Sequence, residues 1–125
     1  MMTKIFTCRF ILKGKSDYKD LAPVFPDILR YILKENEHFQ EPEELETREM
    51  YVELNMQDIL ENRKPEGYNR KGKVRLVFPM DSKEFYLKTY SKSSELKPIA
   101  DKISEMLTAA KIKFEVKEND RVDFD

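Results

Sequence analysis

The strongest structural signal in the sequence is an apolar stripe with helical spacing near its C-terminal end. It predicts a helix that begins at Ser93 or Ser94, because serine is a favoured residue at a helix start. The apolar positions, three or four residues apart, are Leu96, Ile99, Ala100, Ile103, Met106, Leu107 and Ala110. Burying each large side chain contributes about 1.5–3 kcal/mol. Such a helix must therefore pack against a sheet or another helix.

Alternating apolar and polar residues predict the strands that this helix could cover. The predicted strands are Lys4–Lys13, Glu49–Leu54, Lys73–Pro79, Glu84–Tyr90 and Lys111–Lys117. The third and fourth are separated by a short turn at Asp81-Ser82 and read as a hairpin. The alternation predicts strands with one face buried and the other in contact with water.

Two further helices are predicted before the hairpin. The main one runs from about Pro26 to His38, after a short turn over Tyr18–Ala22. Residues 40–47 have no clear periodicity and are predicted to form an exposed loop or a frayed turn. Asn55 is predicted to cap a short helix, Met56–Asn62.

These elements follow the order β-α-β-(α)-β-β-α-β, which predicts an α+β fold. We expect a ferredoxin-like two-layer sandwich, a mainly antiparallel sheet with two helices on one face. Residues 1–117 are predicted to form this single α+β domain. Residues 118–125 form an acidic C-terminal tail, either an edge strand through Val122 and Phe124 or a disordered end.

Composition narrows the classes of partner. The 23 Lys and Arg nearly cancel the 24 Asp and Glu, which argues against binding of duplex DNA or an anionic membrane through bulk charge. No apolar run approaches the roughly 20 residues needed to span a bilayer. The single cysteine excludes an intramolecular disulfide and fits a reducing compartment. We therefore expect a cytoplasmic protein without a membrane partner.

Catalytic and cofactor signatures are missing from the sequence. The chain has one cysteine, Cys8, and one histidine, His38. Cys8 lies on the predicted apolar face of the first strand. One histidine and one cysteine cannot make a zinc site, and no glycine-rich phosphate loop is present. The acids between residues 41 and 49 and those of the tail could ligate Mg²⁺ or Ca²⁺, but they do not match an EF-hand. No cofactor, metal site or catalytic residue is predicted.

A basic connector between residues 63 and 75 is the most suggestive feature. A flexible basic loop with an aromatic residue can hold a phosphate backbone and stack a base. The candidate binding residues are Arg63, Lys64, Tyr68, Arg70, Lys71, Lys73 and Arg75. The acidic segment 35–53 nearly balances this charge. The two segments could therefore face one another, pair between two copies of the chain, or bind a partner.

The basic–glycine start and the final aromatic of residues 71–78 are similar in part to the RNP1 segment of RNA-recognition motifs. Lys73 and Arg75 stand where that family has stacking aromatics. These side chains can contact phosphate but cannot stack as aromatics do. The similarity implies RNA binding as one alternative, and the chain is not assigned to that family.

The sequence thus favours a non-catalytic protein-binding or regulatory module that can also associate with itself as a homodimer. Its contacts are expected on the open face of the sheet and on the two charged segments. The first alternative is a nucleic-acid-binding protein that uses residues 63–75. The second is an enzyme with a carboxylate-based or metal-dependent site.

Overall fold

The first and third strands form the centre of a four-stranded sheet. The computed structural model describes residues 6–36, 42–69, 73–80, 82–89 and 93–118. In chain order its elements are β1 (Phe6–Leu12), a 3₁₀ helix (Tyr18–Leu21), α1 (Phe25–Glu35), α2 (Pro42–Leu60), β2 (Arg75–Val77), β3 (Glu84–Thr89), α3 (Ser93–Ala109) and β4 (Phe114–Glu118). The strands lie in the order β2-β3-β1-β4, and every neighbouring pair is antiparallel.

This topology confirms the predicted α+β class and the mainly antiparallel sheet. The strand order is broadly compatible with the predicted ferredoxin-like two-layer sandwich, in which the first and third strands are neighbours. The predicted hairpin is confirmed, because β2 pairs with β3. Of the predicted acidic tail, Glu118 is the last residue of β4, and residues 119–125 lie outside the described residues.

The helices cover one face of the sheet because the apolar positions of the central strands point there. Cys8 and Phe10 of β1 are fully buried, and the Phe10 ring stacks on Phe85 of β3 at 5.0 Å between ring centroids. Phe78, whose ring centroid lies 5.4 Å from that of Phe85, also contacts Phe25 of α1 at 5.8 Å. The helix α3 packs on β1 and β3, α1 packs on α3, and α2 packs on α1 and the 3₁₀ helix. The helix α3 therefore packs directly on the sheet, whereas α2, a third long helix beyond the expected two, packs on α1.

The predicted strand Glu49–Leu54 is wrong, because these residues lie within the continuous helix α2. The predicted loop over residues 40–47 is also wrong from Pro42 onwards, and Asn55 lies inside the helix rather than capping a shorter one. The spacing of Met50, Val52 and Leu54 is that of one face of a strand. Only Val52 is buried, however, while Met50 and Leu54 are each 51% exposed. Two opposite faces of a helix therefore produced the alternation.

The reverse face of the sheet is less open than the sequence predicted. On the inner strands Thr7, Tyr86 and Lys88 are buried, although they belong to the polar side of the alternation. Glu115 and Lys117, on the edge strand β4, are exposed. The expected water-facing surface is therefore reduced at the centre of the sheet, where Arg9 and Ile11 remain half-buried, and is present at this edge.

Two buried asparagines fix the connector between α2 and β2. Asn36, at the end of α1, accepts a hydrogen bond from the Val74 N–H at 3.0 Å and donates one to the Val74 carbonyl at 3.0 Å. Asn55 accepts a hydrogen bond from the Gly67 N–H at 2.7 Å. The neighbouring residue, Tyr68, forms an isolated antiparallel bridge with Leu76. The connector is therefore bound to the helices at one side and to β2 at the other.

Candidate functional site

The residues of the predicted basic binding patch differ in their ion-pair partners and in their exposure. Arg63 forms ion pairs with Asp58 and Glu61 on the last turns of α2 and just beyond it. Lys73 pairs with Glu35 of α1 at 3.2 Å, which joins the basic segment to the acidic one. Lys64 is exposed, whereas Arg70 and Lys71 lie outside the described residues.

The positions of Tyr68 and Arg75 are fixed by their pairing with strands of the sheet. The Tyr68 ring is 5% exposed and meets the edge of the Tyr51 ring at 5.5 Å between centroids. This burial leaves little of the ring available to stack on a base. Arg75 lies on β2 directly opposite Lys88 of β3, so both project on the reverse face. The basic patch thus does not form one surface through its described members.

The lone cysteine is a core residue. Cys8 is fully buried, as predicted, and burial raises the pKa of its thiol to about 12, with the carboxylates of Glu118 and Asp101 adding to the effect. The thiol therefore stays protonated at neutral pH, which makes it a poor nucleophile. His38 lies outside the described residues.

The described residues form neither a cluster of metal ligands nor a membrane-spanning helix. Among residues 6–36, 42–69, 73–80, 82–89 and 93–118, no three His, Cys, Asp or Glu side chains converge as metal ligands would. Over the same residues, no helix combines the length and apolar character needed to cross a bilayer.

A groove brings together two pairs of lysines, Lys15 with Lys19 and Lys111 with Lys113, that are far apart in sequence. Its volume is about 810 Å³. We call it the lysine groove. It is lined by Gly14, Lys15, Ser16, Lys19, Asp20, Ala22, Pro23, Leu60, Ala110, Lys111, Ile112 and Lys113. These residues come from the segment after β1, the 3₁₀ helix and the two residues that follow it, the end of α2, and the turn between α3 and β4.

The turn after α3 shapes one rim of the lysine groove. The Ile112 N–H donates to the Leu107 carbonyl at 3.1 Å, and the Lys111 N–H donates to the Thr108 carbonyl at 3.0 Å. This is the Schellman pattern of a helix end, which needs a left-handed residue, and Lys111 has φ of 60°. The pattern turns the chain so that Ile112 is buried while Lys111 and Lys113 remain exposed.

The opposite rim is held by Asp17, Asp20 and Asn62. The Asp17 side chain caps the 3₁₀ helix, and the Asp17 N–H donates to the Asp20 carboxylate at 2.8 Å. Asn62, just beyond α2, accepts a hydrogen bond from the Lys19 N–H at 2.9 Å. A backbone hydrogen bond of 3.0 Å from Lys13 to Lys113 joins the two rims. The groove is therefore built on fixed backbone contacts rather than on side chains alone.

The charge of the lysine groove is strongly positive at its rims. Lys15, Lys19, Lys111 and Lys113 are exposed, and none forms an ion pair with a carboxylate in the part of the chain that the structure describes. The one lining carboxylate, Asp20, is engaged by the Asp17 N–H. The lining also includes apolar side chains, among them Leu60, which is 61% exposed. The arrangement is suited to an anionic ligand that also presents apolar groups.

The sequence did not predict this groove, because its two pairs of lysines come from segments about 90 residues apart that only the fold brings together. No local cluster marks it, and each lysine alone reads as an ordinary surface charge. The one local signal is Lys111, since it directly follows the end of a strongly predicted helix, where glycine is the usual residue.

Comparison with known proteins gives no functional information. No protein family, curated protein or solved structure matches the chain.

Proposed function

We propose that the protein is a non-catalytic protein-binding module whose lysine groove receives an acidic segment that also carries apolar side chains. The observation that supports this most is the set of four exposed lysines that line the groove together with apolar side chains. Such charges guide an acidic partner to the groove, and the apolar lining residues, such as Leu60, offer area for anchoring side chains.

The composition of the groove favours a peptide over a nucleic acid. Single-stranded nucleic acids are held by basic grooves in which aromatic rings stack on the bases. The residues lining the lysine groove in the described part of the chain include no aromatic side chain. A nucleic-acid ligand would find phosphate contacts here but no stacking surface.

A titration with a labelled acidic peptide that carries leucines tests this proposal. Fluorescence anisotropy should show saturable binding that weakens as salt rises, because exposed charge pairs are screened. Replacing the peptide's leucines by alanines should also weaken binding.

The double variant Lys15→Glu with Lys111→Glu should weaken binding roughly tenfold, since two exposed charge pairs are each worth up to about 1 kcal/mol. The matched control, Lys102→Glu with Lys117→Glu, makes the same charge change on α3 and β4 outside the groove. Equal losses in both double variants would show a non-specific charge effect and would refute the groove as the site. Tighter binding of single-stranded RNA than of the peptide would instead favour the nucleic-acid alternative.

A further inference from the structure

The outward face of α2 is partly apolar, which is unusual for a helix surface that no described element covers. Met50 and Leu54 lie one helical turn apart, and each is 51% exposed. Glu46, Glu53 and Gln57 are exposed on the same side of the helix. We call these five residues the α2 stripe.

The α2 stripe is acidic as well as apolar. Glu46 and Glu53 form no ion pair within the described ranges of the chain. Glu49, one residue before Met50, differs, because Arg30 donates to it at 2.8 Å and lowers the pKa of its carboxyl. The stripe therefore presents two uncompensated negative charges beside two exposed aliphatic side chains.

These properties match the ligand chemistry of the lysine groove. We infer that the α2 stripe of one copy of this chain docks in the lysine groove of a second copy. The inference rests on the proposed function, because it names the acidic segment that the groove receives. The charge complementarity is between Glu46 and Glu53 on one copy and the four groove lysines on the other.

The contact must be between copies and must join unlike surfaces. Within one chain, Leu60 at the end of α2 lines the groove, and Met50 lies ten residues earlier on the same rigid helix, about 15 Å away. A stripe-to-stripe contact would oppose the like charges of Glu46 and Glu53. A head-to-tail contact avoids this repulsion and leaves one free groove and one free stripe at the ends of each assembly.

Sedimentation velocity over a range of protein concentrations tests the inference. The wild-type chain should shift from monomer to larger species as concentration rises, and added salt should reverse the shift. Two double variants should each remain monomeric: Lys15→Glu with Lys111→Glu in the groove, and Glu46→Lys with Glu53→Lys in the stripe. Their equimolar mixture should associate again, because the reversed stripe faces a reversed groove and the two unaltered surfaces still match.

The control double variant Lys102→Glu with Lys117→Glu should associate as the wild type does. A wild-type chain that stays monomeric at every concentration would overturn the inference, and so would a mixture that fails to associate. The peptide titration separates the two proposals. Saturable peptide binding by a strictly monomeric chain would retain the proposed function and reject this partner, whereas loss of both would reject both.

Discussion

Lys111 has a backbone conformation that glycine adopts more easily. Its φ of 60° places the lysine in the left-handed region, where a side chain costs roughly 1–2 kcal/mol. Residues held in such conformations often belong to functional sites. At this position the side chain reaches the rim of the lysine groove.

Replacing Lys111 by glycine should therefore stabilise the fold and weaken ligand binding together. We expect Lys111→Gly to raise the free energy of unfolding in urea by about 1 kcal/mol, since relief of strain exceeds the entropy that glycine loses on folding. Binding of the acidic peptide should weaken about two- to fivefold, the value of one exposed charge pair. The control Lys111→Gln should lose binding without gaining stability. A glycine variant that binds as the wild type does would remove Lys111 from the site.

The carboxylate of Asp17, beside the lysine groove, makes the free energy of unfolding depend on pH. The Lys83 ammonium lies 2.6 Å from its carboxylate and, as the main cause, lowers the pKa of that carboxyl, while the Tyr18 N–H and Asn62 also donate to it. A lowered folded-state pKa means that the stabilisation is present above the unfolded-state pKa of about 4 and is lost as pH falls below it.

The variant Asp17→Asn should flatten this acid dependence. Asparagine also caps helices well, so the cap is retained while the titrating group is removed. Thermal unfolding should then show a smaller loss of stability between about pH 5 and pH 2 in the variant than in the wild type. Glu49 and Glu115, whose pKa values are also lowered, are present in both proteins and cancel in the comparison. Parallel pH curves would contradict the role given to Asp17.

Among the secondary-structure elements, α2 shows the largest difference between the predicted and the observed structure. Pro42 at its start and a run of good helix formers through Met50 both favour a helix. The period-two alternation from Met50 to Leu54 nevertheless predicted a strand. Prediction from periodicity assumes that apolar residues are buried. This assumption fails for α2, because two of its aliphatic side chains are exposed.

Paired substitutions in α2 distinguish the helix from the strand. Val52→Ala should lower the free energy of unfolding by about 1.5–2 kcal/mol, because Val52 is buried. Leu54→Ala should change it by less than about 0.5 kcal/mol, because Leu54 faces outward. In a strand both side chains would share one face, so equal losses in urea denaturation would argue against the helix.

The contact between α1 and the residues before β2 depends on the Asn36 amide. Asn36→Ala should lower the free energy of unfolding by about 2 kcal/mol, because the buried N–H and carbonyl of Val74 lose their partner. The exposed Gln57→Ala on α2 serves as the control and should change stability by less than about 0.5 kcal/mol. A neutral Asn36→Ala, measured by urea denaturation, would show that the connector is held by other contacts.

At the scale of the whole molecule, the sheet was predictable and the groove was not. The strands β1 and β3 and the helix α3 follow from local periodicity, since each buries a regular set of side chains such as Phe10, Leu87 and Ile103. The lysine groove depends on which turns the topology brings together, and a single sequence contains no signal for that. Tyr68 illustrates the same limit, because its bridge to Leu76 and its burial result from tertiary pairing.

The most direct test of the proposed binding site is a two-dimensional ¹H–¹⁵N NMR titration of the labelled chain with the acidic, leucine-containing peptide. The largest shift changes should occur at the backbone amides of residues 14–16 and 110–113, which line the lysine groove. Changes centred on residues 63–69 or on β3, with the groove amides unmoved, would contradict the proposed site.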